Sequence, residues 1–239
     1  MKDIELSQRM QTVADMVEKC GTVCDIGCDH AFVSIYLVAH GKADRVIASD
    51  VRTGPCAIAR DNIARWNMSD RIDLRLGDGL STIYEGEAES VIIAGMGGML
   101  ITDILENGKN VVRTTRQLVL QPQSEIEHVR RYIHSHGWVI QRECMLKDSG
   151  KYYVVMDVRT TQNPDQCSHN DDMLEIYYKY GRLLIEGHSP VLKEYLLENH
   201  ASSEAILDRL RRADTDNSRQ RAIELEHELQ CIEMALERI

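Results

Sequence analysis

The chain has 239 residues, room for one large α/β domain or for a domain of about 150 residues with a smaller companion. Its net charge of −10 argues against a general nucleic-acid binder, so any RNA contact must rest on basic residues gathered locally. No run of about 18 apolar residues and no basic-then-apolar start predict neither a membrane helix nor a signal peptide, and seven cysteines without a C-x-x-C pair point to reduced thiols in the cytoplasm.

Leu6, Met10, Val13, Ala14 and Val17 recur at helical spacing, with Ser7 as N-cap and Gly21 as the stop. Arg9 lies off that apolar face, either solvated or beside a ligand mouth. Next, Thr22-Val23-Cys24-Asp25-Ile26-Gly27-Cys28-Asp29-His30-Ala31 reads as a strand, a tight turn and the entry to a helix over 32–39. A phosphate-cradling loop wants several glycines and no acid, because backbone N–H groups must approach a polyanion. Here only Gly27 keeps the G-x-G-x-x-G spacing, and Asp25 and Asp29 flank it. Two carboxylates repel a pyrophosphate and attract a cation. S-adenosyl-L-methionine (SAM), an adenosine carrying an ammonium and a sulfonium but no phosphate, meets that demand. The plainer alternative leaves an acidic turn in which Asp29 merely caps the helix.

Val46–Asp50 is a second buried strand, and Asp50 ends it 23 positions after Gly27, with Val51 following. An acid at that place hydrogen-bonds the ribose hydroxyls of an adenosine cofactor. A helix from Cys56 to Trp66 turns Ala57, Ile58 and Ile63 inward and Arg60 outward, the latter solvated or available to a phosphate. Residues 71–76 alternate charged and apolar, a strand with one wet face, and end in Gly77-Asp78-Gly79. In an adenosine-binding sheet that loop lies beside the purine: Asp78 can accept from the exocyclic amine, and Gly79 lets the backbone come close. The fourth strand runs into Gly95-Met96-Gly97-Gly98 and a helix reaching about Leu105. Bare backbone at a strand's carboxyl end suits a ligand crevice, where carbonyls can accept from the amino group of a flat base.

Residues 116–123 form a fifth strand and its loop, followed by a helix from Ser124 to His136 capped by Gly137. Two alternating runs, 138–145 and 151–158, are joined by Lys147-Asp148-Ser149-Gly150 as an antiparallel hairpin. Dehydrogenase sheets end in parallel strands; an inserted antiparallel last strand marks the methyltransferase variant. A polar linker at 160–165 divides residues 1–163 from 164–239, and beyond it only helices are predicted, over 170–186, 190–212 and 217–239. Leu225, Leu229, Ile232 and Leu236 would face Leu192, Tyr195, Leu196, Ile206 and Leu210 in a short coiled-coil seam. Arg209, Arg211 and Arg212 cluster at one helix end, either complementing its dipole or gripping phosphate.

Taken together, Leu6-Ser7-x-Arg9, Asp25-Ile26-Gly27-x-Asp29-His30-Ala31, Gly95-Met96-Gly97-Gly98 and Leu120-Gln121-Pro122 resemble the bacterial tRNA (adenine22-N1)-methyltransferase family over nearly the whole chain. The resemblance implies a Rossmann-like, seven-stranded class I methyltransferase sheet with an antiparallel last strand, then a helical coiled-coil domain. It implies SAM as methyl donor and adenine 22 in the D-arm of tRNA as acceptor. Family binding positions carry over onto Gly27, Asp29, Asp50, Asp78 and the Gly95–Gly98 loop. Asp25, His30, Val51 and Gly79 complete the expected cofactor set. Asp29, His30 and Met96 are expected to position donor and base, and Arg9, Arg60, Arg209, Arg211 and Arg212 to meet RNA. The nine histidines form no ligand pattern with cysteines or acids, so no metal is expected, and a monomer is favoured. Two alternatives stay open: a SAM-dependent methyltransferase acting on another RNA base or a small molecule, or a non-catalytic SAM-binding protein whose coiled coil docks partners.

Overall fold

The computed structural model describes residues 4–160, 171–213 and 215–239. The chain divides into two compact units, Met1–Cys167 and Ser168–Ile239. The expected boundary at 163/164 lies outside the described residues.

The first unit is built on a seven-stranded sheet of order β3-β2-β1-β4-β5-β7-β6. Its strands are β1 (Cys20–Ile26), β2 (Ala43–Asp50), β3 (Ile72–Leu76), β4 (Ser90–Met96), β5 (Gln117–Pro122), β6 (Val139–Asp148) and β7 (Lys151–Arg159). The first five are mutually parallel, whereas β7 runs antiparallel to both β5 and β6. The hairpin thus inserts its second strand beside β5 and leaves β6 at the edge, as the alternating runs predicted. From β1 the chain proceeds to β2 and β3 on one side, then returns to place β4 and β5 on the other. The order reverses between β1 and β4, and open α/β sheets bind ligands beyond the carboxyl ends of their strands at such a reversal. Leu118, Val119 and Leu120 are all fully buried, since helices cover both faces of a parallel sheet and no position of a central strand is wet.

Helix α1 (Gln8–Met16) is capped by the Ser7 hydroxyl, which accepts the N–H of Met10 at 3.3 Å. It stops at Met16 rather than at Gly21. Gly21 lies within β1, donating its N–H to Glu89 Oε1 at 2.9 Å, where a Cβ would leave only 2.6 Å to that oxygen. Helices α2 (Phe32–Ala39), α3 (Thr53–Arg65), α4 (Gly98–Asn107), α5 (Lys109–Thr114) and α6 (Ile126–Ser135) form the connections. On α3 the buried residues are Cys56, Ala59, Asn62 and Ile63, whereas Ala57 and Ile58 are exposed, one step off the predicted face. The short α5, butted against α4 at Gly108, carries too few apolar residues to have announced itself.

The second unit is helical throughout its described residues. The single helix expected over 170–186 is two, α7 (Asp171–Tyr180) and α8 (Arg182–Glu186), because Gly181 takes φ +89° between them. The long helices α9 (Pro190–Ala213) and α10 (Asp216–Leu236) follow, and Thr215 and Ser218 close a reciprocal cap on α10. Arg211 pairs with Glu226 at 2.7 Å and His200 with Glu233 at 3.4 Å, a descending register that makes α9 and α10 antiparallel. Leu207, Ala222, Leu225 and Leu229 pack between them, each buried leucine contributing about 1.5–3 kcal/mol. Ile206, placed in the seam by sequence spacing, is 45% exposed and Leu207 takes the inward position. Among the described residues no helix is long and apolar enough to cross a membrane.

Candidate methyl-donor site

A crevice of about 520 Å³ opens above the carboxyl ends of β1 to β4. From β1 it takes Gly27 and Asp29, from β2 Asp50, Val51 and Arg52, from the loop after β3 Gly77, Asp78 and Gly79. From β4 come Ala94, Gly95 and Met96, and Arg9 and Met10 of α1 close one side. The three acids that follow successive strands therefore share one cavity.

Asp50 is its anchor. Only 3% exposed, its carboxylate accepts the Asp29 N–H at 3.2 Å on Oδ2 and the Arg52 N–H at 2.9 Å on Oδ1. Arg52 Nε also approaches Oδ1, at 3.5 Å, so of the carboxylate's roughly four lone-pair sites the one left open is on Oδ2, with the long Arg52 Nε contact on Oδ1 open to exchange for a ligand hydroxyl. The first turn is held in an unusual shape. Gly27, Asp29 and Ala31 have φ of +70°, +49° and +61°, and two of the three are not glycine. Left-handed backbone at side-chain-bearing residues stores strain and collects at ligand sites. Glycine is favoured at position 27 by its φ of +70°, and the flexible end of the Met96 side chain lies across the bare backbone there. The alternative in which Asp29 caps α2 fails, because Ala31 occupies the N-cap and no side chain bonds there. Asp29 instead faces the crevice, 3.5 Å from His30 Nδ1 and 3.5 Å from Arg52 Nη2.

Asp25 sits below the turn rather than in the crevice. It is buried, accepts the Ser34 hydroxyl at 2.6 Å, and lines a smaller adjoining cavity of about 110 Å³ with His30, Phe32 and Val33. Burial without a cationic partner pushes its pKa up to about 6, with the Ser34 hydrogen bond opposing the shift and Asp50 adding to it. Gly97 also departs from the expected set. With Gly98 it faces the loop after β5, where a Cβ on Gly98 would sit 2.6 Å from the Glu125 carbonyl oxygen. These two glycines serve packing. The Asp78 loop is braced by a fork: Arg75 grips Glu87 at 2.5 and 2.8 Å and the Thr82 carbonyl at 2.6 Å, and that bond holds the Glu87 carboxyl below its ordinary range.

Of the arginines named from sequence, Arg9 alone reaches the crevice. Its Nη1 donates to Gln121 Oε1 at 2.7 Å and its guanidinium lies 5.2 Å from the Tyr153 ring centroid, which removes the solvated reading. Arg60 lines a separate depression with Arg45 and Asp70, and Arg209, Arg211 and Arg212 are exposed on α9. Sequence reasoning missed Arg52 and Gln123, and it had Gln121 only as part of the Leu120-Gln121-Pro122 motif, with no role assigned to it. It also missed a cluster in the second unit, where Glu175, His227 and Cys231 bring one ligand atom each within 4.8 Å. Lys179 Nζ lies 2.9 Å from Glu175 and 3.3 Å from Cys231 Sγ, so an ammonium already balances that cluster.

The geometry suits a flat adenosine reaching from Gly27 to Asp78, with a cationic end near Asp29. The methyltransferase-domain family matches residues 6–156. The tRNA (adenine(22)-N(1))-methyltransferase of Bacillus subtilis is 29% identical over 238 residues, 99% of each chain. The crystal structure of the B. subtilis m1A22 tRNA methyltransferase TrmK superposes with a TM-score of 0.86, covering 98% of this chain and 100% of that one at 29% identity. A putative tRNA (m1A22) methyltransferase of Streptococcus pneumoniae, solved with S-adenosyl-L-methionine, gives 0.83 at 28% identity over 97% and 100%.

Proposed function

This chain belongs to the methyltransferase-domain family, and from that premise we propose that it transfers the methyl group of SAM to N1 of adenine 22 in the D-arm of tRNA. The observation that carries the reading is the joining of Asp29, Asp50 and Asp78 in one crevice at the sheet's reversal point. A full-length relationship to enzymes so named supports the choice of acceptor. We place the activity in the cytoplasm, where a tRNA substrate is found.

When bound, SAM supplies an electrophilic methyl carbon, and in-line attack by N1 returns the broken bond's electron pair to sulfur. N1 of adenine already has an in-plane lone pair, so the chain need supply no base. Its task is positioning and electrostatics. Asp29 would take the donor's ammonium, with His30 beside it. Asp50 would take the ribose hydroxyls, and Asp78 with Val51 and Gly79 would border the purine. Gly95 and Met96, at the β4 end, would border the base to be methylated. A paired D-arm base must leave its stack to arrive there, at a cost of a few kcal/mol. Arg60, Arg209, Arg211 and Arg212 would meet RNA by backbone phosphate rather than by base edge.

Incubation with labelled SAM and unmodified tRNA, beside the same tRNA carrying A22→G22, tests the reading. Label is expected in the first tRNA only. Equal transfer to both overturns the site of methylation, and transfer to neither overturns the activity.

A further inference from the structure

The crevice is graded by charge. Its three acids, with Arg52 3.5 Å from two of them, all follow β1, β2 and β3, whereas beside β4 and β5 no acid lines it and the polar side chains reaching it are Arg9 and Gln123. Arg9 is not a loose surface cation. The buried Gln121 amide accepts the Arg9 Nη1 hydrogen at 2.7 Å and, on the same oxygen, the Gly95 N–H at 3.1 Å, while its own Nε2 donates to the Pro122 carbonyl at 3.0 Å. Gly95 stands where the β4–β5 register shifts, with φ +80°, so the Gln121 side chain bonds the irregular residue that the ladder skips. A Cβ on Gly95 would lie 3.5 Å from Arg9 Nη1 and 3.7 Å from Gln123 Nε2. Tyr153 supports the guanidinium, and Asp148 Oδ2 accepts the Arg9 backbone N–H at 3.3 Å, tying the start of α1 to the β6–β7 hairpin.

One buried amide thus sets the position of a cation and of the bare backbone beside it. A guanidinium has five donors, and among the described residues the hydrogen bond its side chain makes engages Nη1, so the remainder can serve a planar or tetrahedral anion. The base that gains the methyl group becomes cationic, so Arg9 is misplaced as a partner for the ring. The nucleotide brings its own anion. We propose that Arg9 binds the backbone phosphate of the nucleotide being methylated, and that Gln121 is the positioning residue that aims it. The assignment rests on the tRNA reading above and deepens it.

Full-length wild-type protein, Arg9→Ala, Arg9→Lys and Gln121→Leu are compared with unmodified tRNA at saturating SAM over a salt series, with SAM affinity measured by calorimetry. Wild-type transfer must first be seen; its absence overturns the proposed function, not this assignment alone. Arg9→Ala is expected to raise KM for tRNA by roughly ten- to a hundredfold. It should also flatten the logarithmic salt dependence by about one phosphate, some 0.7–0.9 in slope, with SAM affinity within twofold. Arg9→Lys should restore the slope and only part of the KM, having the charge without the fork. Gln121→Leu should move KM and slope in the direction of Arg9→Ala, whereas a purely structural amide would lower the melting temperature and leave the slope alone. An unchanged slope in Arg9→Ala, or a loss of SAM affinity in its place, overturns the proposal; the latter would give Arg9 to the donor's carboxylate. Should Arg9→Ala fail to fold, an Arg9→Lys enzyme with wild-type KM overturns it equally.

Discussion

Asp50 and Asp25 end or interrupt neighbouring strands, yet their surroundings give them opposite tasks. Asp50 receives two backbone N–H groups and opens on the crevice, so it stays available as an acceptor. Replacing it with alanine removes the charged acceptor proposed for the ribose hydroxyls, each such hydrogen bond being worth about 1.5–3 kcal/mol. SAM affinity measured by calorimetry should fall at least a hundredfold while the circular dichroism spectrum holds; unchanged affinity would take Asp50 out of the site. Asp25 is buried with Ser34 as its hydrogen-bonding partner and no cation beside it, and burial raises its pKa from 3.8 to about 6. The folded state therefore holds that proton more tightly than the unfolded state does. Below about pH 4 both states are protonated and nothing is lost; as pH climbs to 6 the fold is penalised, by roughly 3 kcal/mol at neutrality. Wild-type stability from urea midpoints should decline between pH 4 and 6 relative to Asp25→Asn, and parallel curves would refute the assignment. Because Asp25 lies under the turn, the same variant should keep SAM affinity within a few-fold.

The joints between strands and helices carry tighter demands than the strands and helices themselves. Gly98 opens α4 with its Cα against the loop after β5, and Gly98→Ala would force a methyl to within 2.6 and 2.7 Å of two backbone carbonyl oxygens. Backbone cannot swing away as a side chain can, so a loss of about 1–3 kcal/mol is expected in chemical denaturation. A loss below about 0.5 kcal/mol would mean that the loop moves freely. Joints also decided what could be read beforehand. The five parallel strands, the hairpin and the acids at strand ends follow from period, glycine placement and strand-end chemistry, all local in sequence. The break at Gly181 did not, since a lone glycine inside an apolar stripe is tolerated as often as it breaks a helix. Inward faces slipped by one position at Ala57, Ile58 and Ile206, because each has an apolar neighbour in the chain, Cys56, Ala59 or Leu207, and spacing alone does not choose which of two adjacent apolar residues turns inward. Asp25 and Gly97, expected in the cofactor set, do not line the main crevice, because sequence gives adjacency, not direction. Arg9, Gln121 and Tyr153 are separated by 112 and 32 positions in the chain, and no local pattern joins them.

Over its whole length the protein is acidic, at −10, which leaves tRNA to be held by a few local cations against general repulsion. Transfer should consequently weaken steeply with salt. The same excess of carboxylate favours the donor. Asp29, Asp50 and Asp78 make the β1–β3 half of the crevice anionic, with a single glycine in the turn where a pyrophosphate would need several. A positively charged adenosine derivative should enter and a dinucleotide with its doubly anionic pyrophosphate should not. Isothermal titration of the full-length protein with SAM, and separately with NAD, measures that preference. The electrostatic account predicts saturable heat with SAM at micromolar concentration and none with NAD at a hundred times more. Tight uptake of NAD with indifference to SAM would contradict it.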